Sequence, residues 1–374
     1  MPAIISLRYS RIFSHRLKTV CSERLNLGKH IMLIDGIHIP LTAPFYRDGT
    51  SYWRKLEHNV GRYSLTPAAG LVALPPGGET GALSDAEVAE TLQVVSAAAA
   101  QEKILVAGIA KESVRGALSV AEQAARAEFD AVVLSAPEMK LSAAELGVYF
   151  AAIADSSALP VMLSGGAEIS AERIAELAAH KNVLGIYGRE LTAERAHAIA
   201  ESTREKCREV EVTTVFAPVT GRMKAQATGD GPATFVSAES LGGGTGLAVA
   251  PPKAAIKTRK KTVGFQVMAA GNAEYLVELL KEGVAGAMLR MAACAPQACH
   301  EVYAAFKDGN PELAREKAAR LREADALMRG LGIAGVKYAC DLNGYYGGAP
   351  RLPKLALTGD ERRRVELVMA ALRA

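Results

Sequence analysis

The sequence predicts a (β/α)8 barrel, and three observations support this prediction. Eight short apolar runs alternate with amphipathic stretches from Met32 onwards. The runs are continuous rather than alternating in polarity, which is typical of parallel strands covered on both faces. The turn after the first run lacks a G-x-G-x-x-G motif, which disfavours an open dinucleotide-binding sheet. A closed parallel barrel with helices outside it fits all three observations.

The predicted strands share this continuous apolar character and are bounded by loop residues. They are GIHIPLTAPF (36–45), AGLVALP (69–75), ILVAGIA (104–110), DAVVLSA (130–136), LPVMLSG (159–165), VLGIYG (183–188), GFQVMAA (264–270) and AGAMLRMAA (285–293). Helices are predicted between them, for example over 85–103 and 170–180. Capping boxes mark three helix starts, namely Ser84 with Glu87, Ser142 with Glu145 and Thr358 with Glu361.

The chain divides into a leader over 1–31, a barrel over 32–310 that is interrupted by an insertion over 209–263, and a C-terminal helical domain over 311–374. The insertion is far longer than an ordinary loop between a helix and a strand and contains β-like runs. Its GGGTG segment (242–246) lacks the Lys-Ser/Thr of a P-loop, so we predict a flexible hairpin rather than a phosphate site. The basic run from Lys253 to Lys261 is predicted to be a solvated face or an oligomer contact.

Composition excludes several classes of function. Residues 1–31 carry a net charge of +5 and the remainder of the chain carries −1, so the body offers no electrostatic case for nucleic-acid binding. No apolar run is long enough for a membrane span. The five cysteines are scattered, which predicts reduced thiols, and no Cys/His set completes a metal site.

The leader is rich in Arg and Ser and poor in acidic residues. Three explanations remain open: translation that really starts at Met32, a disordered tail, or an organellar targeting segment. We favour the first and therefore predict a cytoplasmic protein.

Several segments resemble the dihydrodipicolinate synthase/N-acetylneuraminate lyase family. They are IPLTAPFYRDG, LVALPPGGETGALSDAEV, YFAAIADSSALPVMLSGG, NVLGIYGREL and IAGVKYACDLNGYYGGAPRLPKLALT, and the resemblance covers residues 34–208 and 264–370. It implies a (β/α)8 barrel without a cofactor, usually a dimer or tetramer. In that family a strand-six lysine forms a Schiff base with a 2-oxo acid, a tyrosine after strand four relays a proton, and a threonine pair after strand two binds the substrate carboxylate.

This chain departs from the family pattern at each of these places. The lysine position holds Tyr187, and the strand-two loop reads Pro75-Pro76-Gly77-Gly78-Glu79 without the threonines. Pro137 and Glu138 stand where tyrosines are expected, and Ser164-Gly165 replaces the tyrosine–asparagine after strand five. Only an amine can convert a ketone into an iminium that accepts electrons, so these losses predict that the family reaction has lapsed.

Candidate site residues are those at the C-terminal ends of the predicted strands. Catalytic candidates are Tyr187, Glu79 and Lys111, and substrate-binding candidates are Gly77, Gly78, Lys140, Ser164, Arg189, Asn272 and Arg290. Three of these candidates also have an interpretation without a role in function. Tyr187 forms an acid–base pair with Glu79 or simply fills the lysine's space. Lys111 is a displaced amine or a solvated loop lysine. Arg290, expected within strand eight, points inward to an acid or an anion, or outward against a helix.

Three hypotheses of function follow. The first is a catalytically silent barrel that binds a small 2-oxo acid or sugar acid, or partners an active paralogue in mixed oligomers. The second is a lyase, aldolase or hydratase of altered mechanism that acts on a 2-oxo acid at the barrel mouth. The third is an unaltered lyase whose amine lies elsewhere. We favour the first, in a homo-oligomer without a metal or cofactor.

Overall fold

Eight parallel strands close into a barrel in the computed structural model, which describes residues 31–228, 235–237, 247–249, 256–271 and 273–373. The barrel strands are β1 (Gly36–Pro40), β2 (Gly70–Ala73), β3 (Ile104–Ile109), β4 (Ala131–Ser135), β5 (Val161–Gly165), β6 (Val183–Arg189), β11 (Gln266–Gly271) and β12 (Gly286–Leu289). Each strand pairs with the next in this order, and β12 pairs with β1 to close the barrel. The predicted (β/α)8 fold is confirmed.

Each predicted apolar run contains one barrel strand, but the eighth strand is shorter than predicted. It ends at Leu289, and Arg290 begins a 3-10 turn that extends to Ala293. The placement of Arg290 within strand eight was therefore wrong. Its guanidinium lies 3.4 Å from the carboxylate of Asp325, a buried residue of the C-terminal helix. Arg290 therefore pairs with a residue outside the barrel, where a position on the strand is not required.

Helices surround the barrel and continue beyond it. They are α1 (Trp53–Ser64), α2 (Asp85–Ala98), α3 (Val114–Arg126), α4 (Ala143–Ser156), α5 (Ala171–Ala178), α6 (Ala193–Ser202), α7 (Gly221–Thr228), α8 (Leu276–Lys281), α9 (Pro296–Lys307), α10 (Pro311–Leu342) and α11 (Gly359–Arg373). All three predicted capping boxes form. Among the described residues, no helix combines the length and apolar character that a membrane crossing requires.

The barrel interior is filled by side chains from alternate strand positions, so it is a packed core rather than a channel. Its members are Val72, Ile104, Val106, Ala131, Val133, Met162, Leu184, Tyr187, Met268 and Met288, together with Met32 and Ile34 from the segment before β1. The Gln266 side chain fixes that segment, since its amide nitrogen donates to the Met32 carbonyl at 3.1 Å and its oxygen accepts from Ile34 N.

The described residues of the insertion include four short strands. Its strands β7 (Arg208–Thr213) and β10 (Thr258–Val263) pair in antiparallel fashion, and β8 (Phe235–Ser237) pairs with β9 (Leu247–Val249). Val210 and Val212 pack on Leu33. The GGGTG segment and Lys253 lie outside the described residues. The predicted β-like runs are confirmed as strands.

Arginine side chains at the start of the insertion and within it donate hydrogen bonds to the loops that precede the barrel strands. The Arg208 guanidinium donates to the carbonyls of Ala178 at 2.9 Å and His180 at 2.8 Å, just before β6. Arg222 donates to the Ala99 carbonyl at 3.1 Å, before β3. Because the active site of this fold sits at the other end of the strands, these contacts serve stability.

The C-terminal segment closes over the loop that follows β2. Lys337, on α10, forms an ion pair with Glu79 at 2.6 Å, and both side chains are inaccessible to solvent. The Lys337 ammonium also donates to the Ala349 carbonyl at 2.9 Å, and the backbone N–H of Arg351 donates to Glu79 Oε1 at 2.9 Å. Two separate points of the C-terminal segment therefore hold one carboxylate of the mouth loop.

Replacing Glu79 by Gln should destabilise the protein by about 3–5 kcal/mol, because Lys337 would become a buried ammonium without its counter-charge. The Glu79→Gln side chain keeps an oxygen that accepts from Arg351 N. The double variant Glu79→Gln/Lys337→Met removes both charges and should lose less stability than Glu79→Gln alone. Urea unfolding curves measure both effects. A single variant within 1 kcal/mol of wild type, or additive losses in the double variant, would contradict the ion pair's role.

Candidate functional site

The sixth strand presents Tyr187 to the barrel interior. Its side chain is fully buried among the inward-facing residues, beside Met162 and Met268. Its hydroxyl lies 2.7 Å from Nδ1 of His38, an inward-facing residue of β1 that is also fully buried. Tyr187 thus reaches across the barrel to the first strand.

Hydrogen bonding fixes the direction of this contact. His38 Nε2 lies 3.2 Å from the Asp35 carbonyl, which can only accept, so Nε2 carries the proton. Nδ1 is then the acceptor and the Tyr187 hydroxyl donates to it. Burial lowers the pKa of His38 to about 4 and raises the pKa of Tyr187, so both groups are neutral near pH 7.

His38 was not predicted as a site residue. The signal for it was present, since an imidazole stands at an inward position of the otherwise apolar strand GIHIP. The neighbouring strand makes room for the ring, because a side chain at Gly70 would place its Cβ 3.0 Å from His38 Cε1. The contact of His38 with Tyr187 on β6 is not visible in the local sequence.

Small hydroxyl groups lie near Tyr187 at the mouth end of the barrel. Ser164 is paired in register with Tyr187, and Ser135 is paired with Ser164 on its other side. Ser164 is buried, and its Oγ has no hydrogen-bond partner among the described residues. The hydroxyl of Thr42, after β1, is also buried and also lacks a described partner. Buried hydroxyls without partners are uncommon and mark positions where a polar ligand atom would be stabilised.

The loop after β2 is fixed in a conformation of its own. Leu74 has a positive φ of 54°, and its carbonyl oxygen lies 1.8 Å from where a Cβ would stand at Gly108. Gly77, with a φ of 78°, turns the chain towards Glu79. The Glu79 carboxylate contacts Lys337 and the Arg351 amide, whereas the Tyr187 hydroxyl contacts His38. The structure does not bring Tyr187 and Glu79 together as an acid–base pair.

Most of the charged candidate residues form ion pairs with other side chains of the protein. Lys111 forms an ion pair with Asp85 at 2.7 Å, and its side chain is 32% exposed. Arg189, at the end of β6, pairs with Glu168 and remains half-exposed. Lys140 is exposed and forms no ion pair with any described residue. Asn272 lies outside the described residues.

No group of three or more potential metal ligands occurs among the residues that the structure describes. Cys294 and Cys299 are fully buried, and burial raises the pKa of both thiols, so they are protonated and act as packing groups. His300, their neighbour in the sequence, has its pKa lowered by partial burial.

Comparisons with known proteins agree with this geometry. The dihydrodipicolinate synthetase family model matches residues 33–208. The 4-hydroxy-tetrahydrodipicolinate synthase of Xanthomonas axonopodis pv. citri is 30% identical over 178 residues, which are 45% of this chain and 58% of that protein. The chain thus spans less than two thirds of that relative. The L-threo-3-deoxy-hexylosonate aldolase of Hypocrea jecorina is 23% identical over 90% of this chain and 95% of its own length.

A solved structure shows the same fold. The DHDPS from Cyanidioschyzon merolae, crystallised with lysine bound, superposes with a TM-score of 0.72 over 92% of this chain and 99% of that one, at 18% identity. The closed barrel and the family match agree over the segment that carries β1 to β6. Residues 33–208 of this chain therefore match the dihydrodipicolinate synthetase family model, and the fold agrees with that match.

Proposed function

We propose that this barrel is not a working Schiff-base aldolase and that it binds a small carboxylate, of the 2-oxo acid class, non-covalently at its mouth. The observation that carries the proposal is the state of Tyr187. The position that holds the family's reactive lysine is occupied by a neutral phenol, buried in the core and hydrogen-bonded to His38. A phenol cannot form an iminium with a ketone.

Two lysines near the mouth are engaged with acidic residues and are not free to replace the missing amine. Lys111 is engaged with Asp85 on the rim, and Lys337 is buried behind the strand-two loop against Glu79. A Schiff-base amine must be neutral and must face the substrate. The Lys111 amine lies 2.7 Å from Asp85 Oδ1, so it contacts a protein carboxylate and does not stand free for a ketone. This supports the silent barrel over the lyase with a displaced lysine.

What remains at the mouth suits a carboxylate held by hydrogen bonds. Arg189 follows Tyr187 on the same face of β6, and its guanidinium already binds the carboxylate of Glu168. A ligand carboxylate can replace Glu168 there and accept charge-assisted hydrogen bonds from the guanidinium. The Ser164 hydroxyl lies in register between Ser135 and Tyr187 and is free to bond a carbonyl or hydroxyl of the ligand. The Hypocrea jecorina relative is named for a carboxylate substrate.

The assembly state belongs to the same proposal. We infer a homo-oligomer, or a mixed oligomer with a lysine-bearing paralogue, in which this chain supplies a binding site and not turnover. Light scattering of the purified chain, alone and mixed with such a paralogue, distinguishes the two forms.

Sodium borohydride reduction in the presence of pyruvate should leave the intact mass of the protein unchanged, because the position of the family's reactive lysine holds Tyr187 and a phenol forms no imine with pyruvate. A lysine-dependent aldolase treated in parallel controls the trapping. The Tyr187→Lys variant restores an amine without the threonine pair or the tyrosines, so we expect it to show no aldol turnover. A reduced adduct on wild-type protein, or brisk turnover by Tyr187→Lys, would count against the proposal.

Saturating pyruvate should raise the midpoint of thermal unfolding by roughly 3 °C, since a ligand that binds only the folded state stabilises it. The Arg189→Gln variant should lose this shift. The Arg204→Gln variant, which alters an exposed arginine two residues after the end of α6, should keep this shift. Equal shifts in both variants would show that Arg189 does not bind the ligand, and the absence of any shift across a panel of 2-oxo acids would exclude the binding function.

Stability should fall as the pH drops from about 6.5 to about 4. The pKa of His38 is about 4 in the folded protein and near 6.5 when the chain unfolds, so only the unfolded state takes up a proton in this window. The neutral imidazole's contribution, present in full above pH 6.5, is lost towards pH 4 and amounts to about 3 kcal/mol.

The His38→Gln variant tests this assignment. Its amide oxygen can still accept from Tyr187, but it does not titrate, so its stability should change less with pH than that of wild type. The His197→Gln variant removes an exposed imidazole and should follow wild type. The free energy of unfolding in urea, measured between pH 7 and pH 4, gives the comparison. Parallel curves for wild type and His38→Gln would refute a neutral His38.

A further inference from the structure

A second pocket lies outside the barrel, between the loop after β1 and the C-terminal helices. Its volume is about 410 Å3, within the range of small-molecule sites. Its walls include Phe45 and Arg47 from the loop, Tyr338 from α10, Tyr346 from the turn that follows, and Leu357 and Arg362 next to and on α11. We call it the C-terminal pocket.

The walls of the C-terminal pocket are aromatic and held in place. Phe45 is almost completely buried, and its ring lies under the guanidinium of Arg351 at 4.2 Å and near the Lys337 ammonium at 4.4 Å. The Tyr346 ring meets the Tyr52 ring edge-on, with the two centroids 5.4 Å apart. Fixed aromatic rings in the wall favour the binding of a flat apolar group.

Two arginines on the pocket wall have no carboxylate partner. Neither Arg47 nor Arg362 forms an ion pair with a residue in the described part of the chain. The one acidic residue of the wall, Asp341, is committed elsewhere, because its Oδ1 accepts from the backbone N–H of Gly347 at 2.8 Å and of Gly348 at 3.4 Å. The Arg362 guanidinium lies 5.5 Å from the centre of the Tyr338 ring.

We propose that the C-terminal pocket binds a small aromatic carboxylate. The two unpaired guanidinium groups supply charge-assisted hydrogen bonds to the carboxylate. The tyrosine and phenylalanine rings, with Leu357, bury the flat ring and exclude water from it. An unsaturated ring is preferred over a saturated one because aromatic pairs gain stabilisation beyond their buried area.

This site is separate from the barrel mouth but is physically linked to it. Ala349 lines the pocket, and its carbonyl accepts from the Lys337 ammonium. Lys337 in turn neutralises Glu79 in the loop after β2. An occupant of the C-terminal pocket therefore rests against the same groups that hold the mouth loop.

Benzoate is the probe for this proposal. Titration of the full chain, followed by ligand-detected NMR, should show benzoate binding more tightly than cyclohexanecarboxylate, which has the charge without the flat ring, and than benzyl alcohol, which has the ring without the charge. The Arg362→Gln variant should weaken benzoate binding by about tenfold through the loss of a charged hydrogen bond. The Arg364→Gln variant, which changes an exposed arginine of α11 outside the pocket, should bind as wild type does.

Hydrogen exchange locates the site. Benzoate should protect amides within 334–362 and 45–49 and should leave the ends of β5 and β6 unchanged. Unaltered affinity in Arg362→Gln, equal binding of the saturated acid, or protection centred on 161–189 would overturn the proposal. Because Arg189→Gln alters only the barrel mouth, loss of pyruvate binding in that variant and loss of benzoate binding in Arg362→Gln are independent results.

Discussion

A closed eight-stranded barrel has no room for an uncompensated charge in its interior, and the Tyr187–His38 hydrogen bond is how this chain meets that constraint. Both groups are buried completely, and each satisfies the other while remaining neutral. An ammonium in place of the phenol would have only the neutral imidazole of His38 as a partner. Tyr187 is thus integrated into the core, and the proposed function depends on that integration.

Several charged groups that contact the barrel lie at its two ends. At the N-terminal end, Arg208 and Arg222 from the insertion bind carbonyl groups of the loops before the strands. At the mouth end, Glu79 is neutralised by Lys337, while Arg290 is drawn towards Asp325. The described candidates at the mouth include the Ser164 hydroxyl, Arg189 and Lys140, a set that can bind an anion.

Features set by local sequence were predictable, and features set by distant pairing were not. The eight strands and three capping boxes follow from apolar runs and from residues three positions apart, which the sequence displays directly. The contact between His38 and Tyr187 depends on how two strands meet across the barrel, and the Glu79–Lys337 pair joins segments far apart in the chain. The premature end of strand eight at Leu289 has the same origin, since Asp325 lies on α10.

The two members of the Glu79–Lys337 pair are synthesised at very different times, which affects how the barrel is completed. The loop that carries Glu79 is synthesised early, whereas β12, which closes the barrel against β1, and then α10 emerge near the end. Until Lys337 appears, the carboxylate must stay hydrated, and the half-made barrel exposes unpaired strand edges. Completion of the barrel is therefore a late event in synthesis, and until then the exposed strand edges favour aggregation.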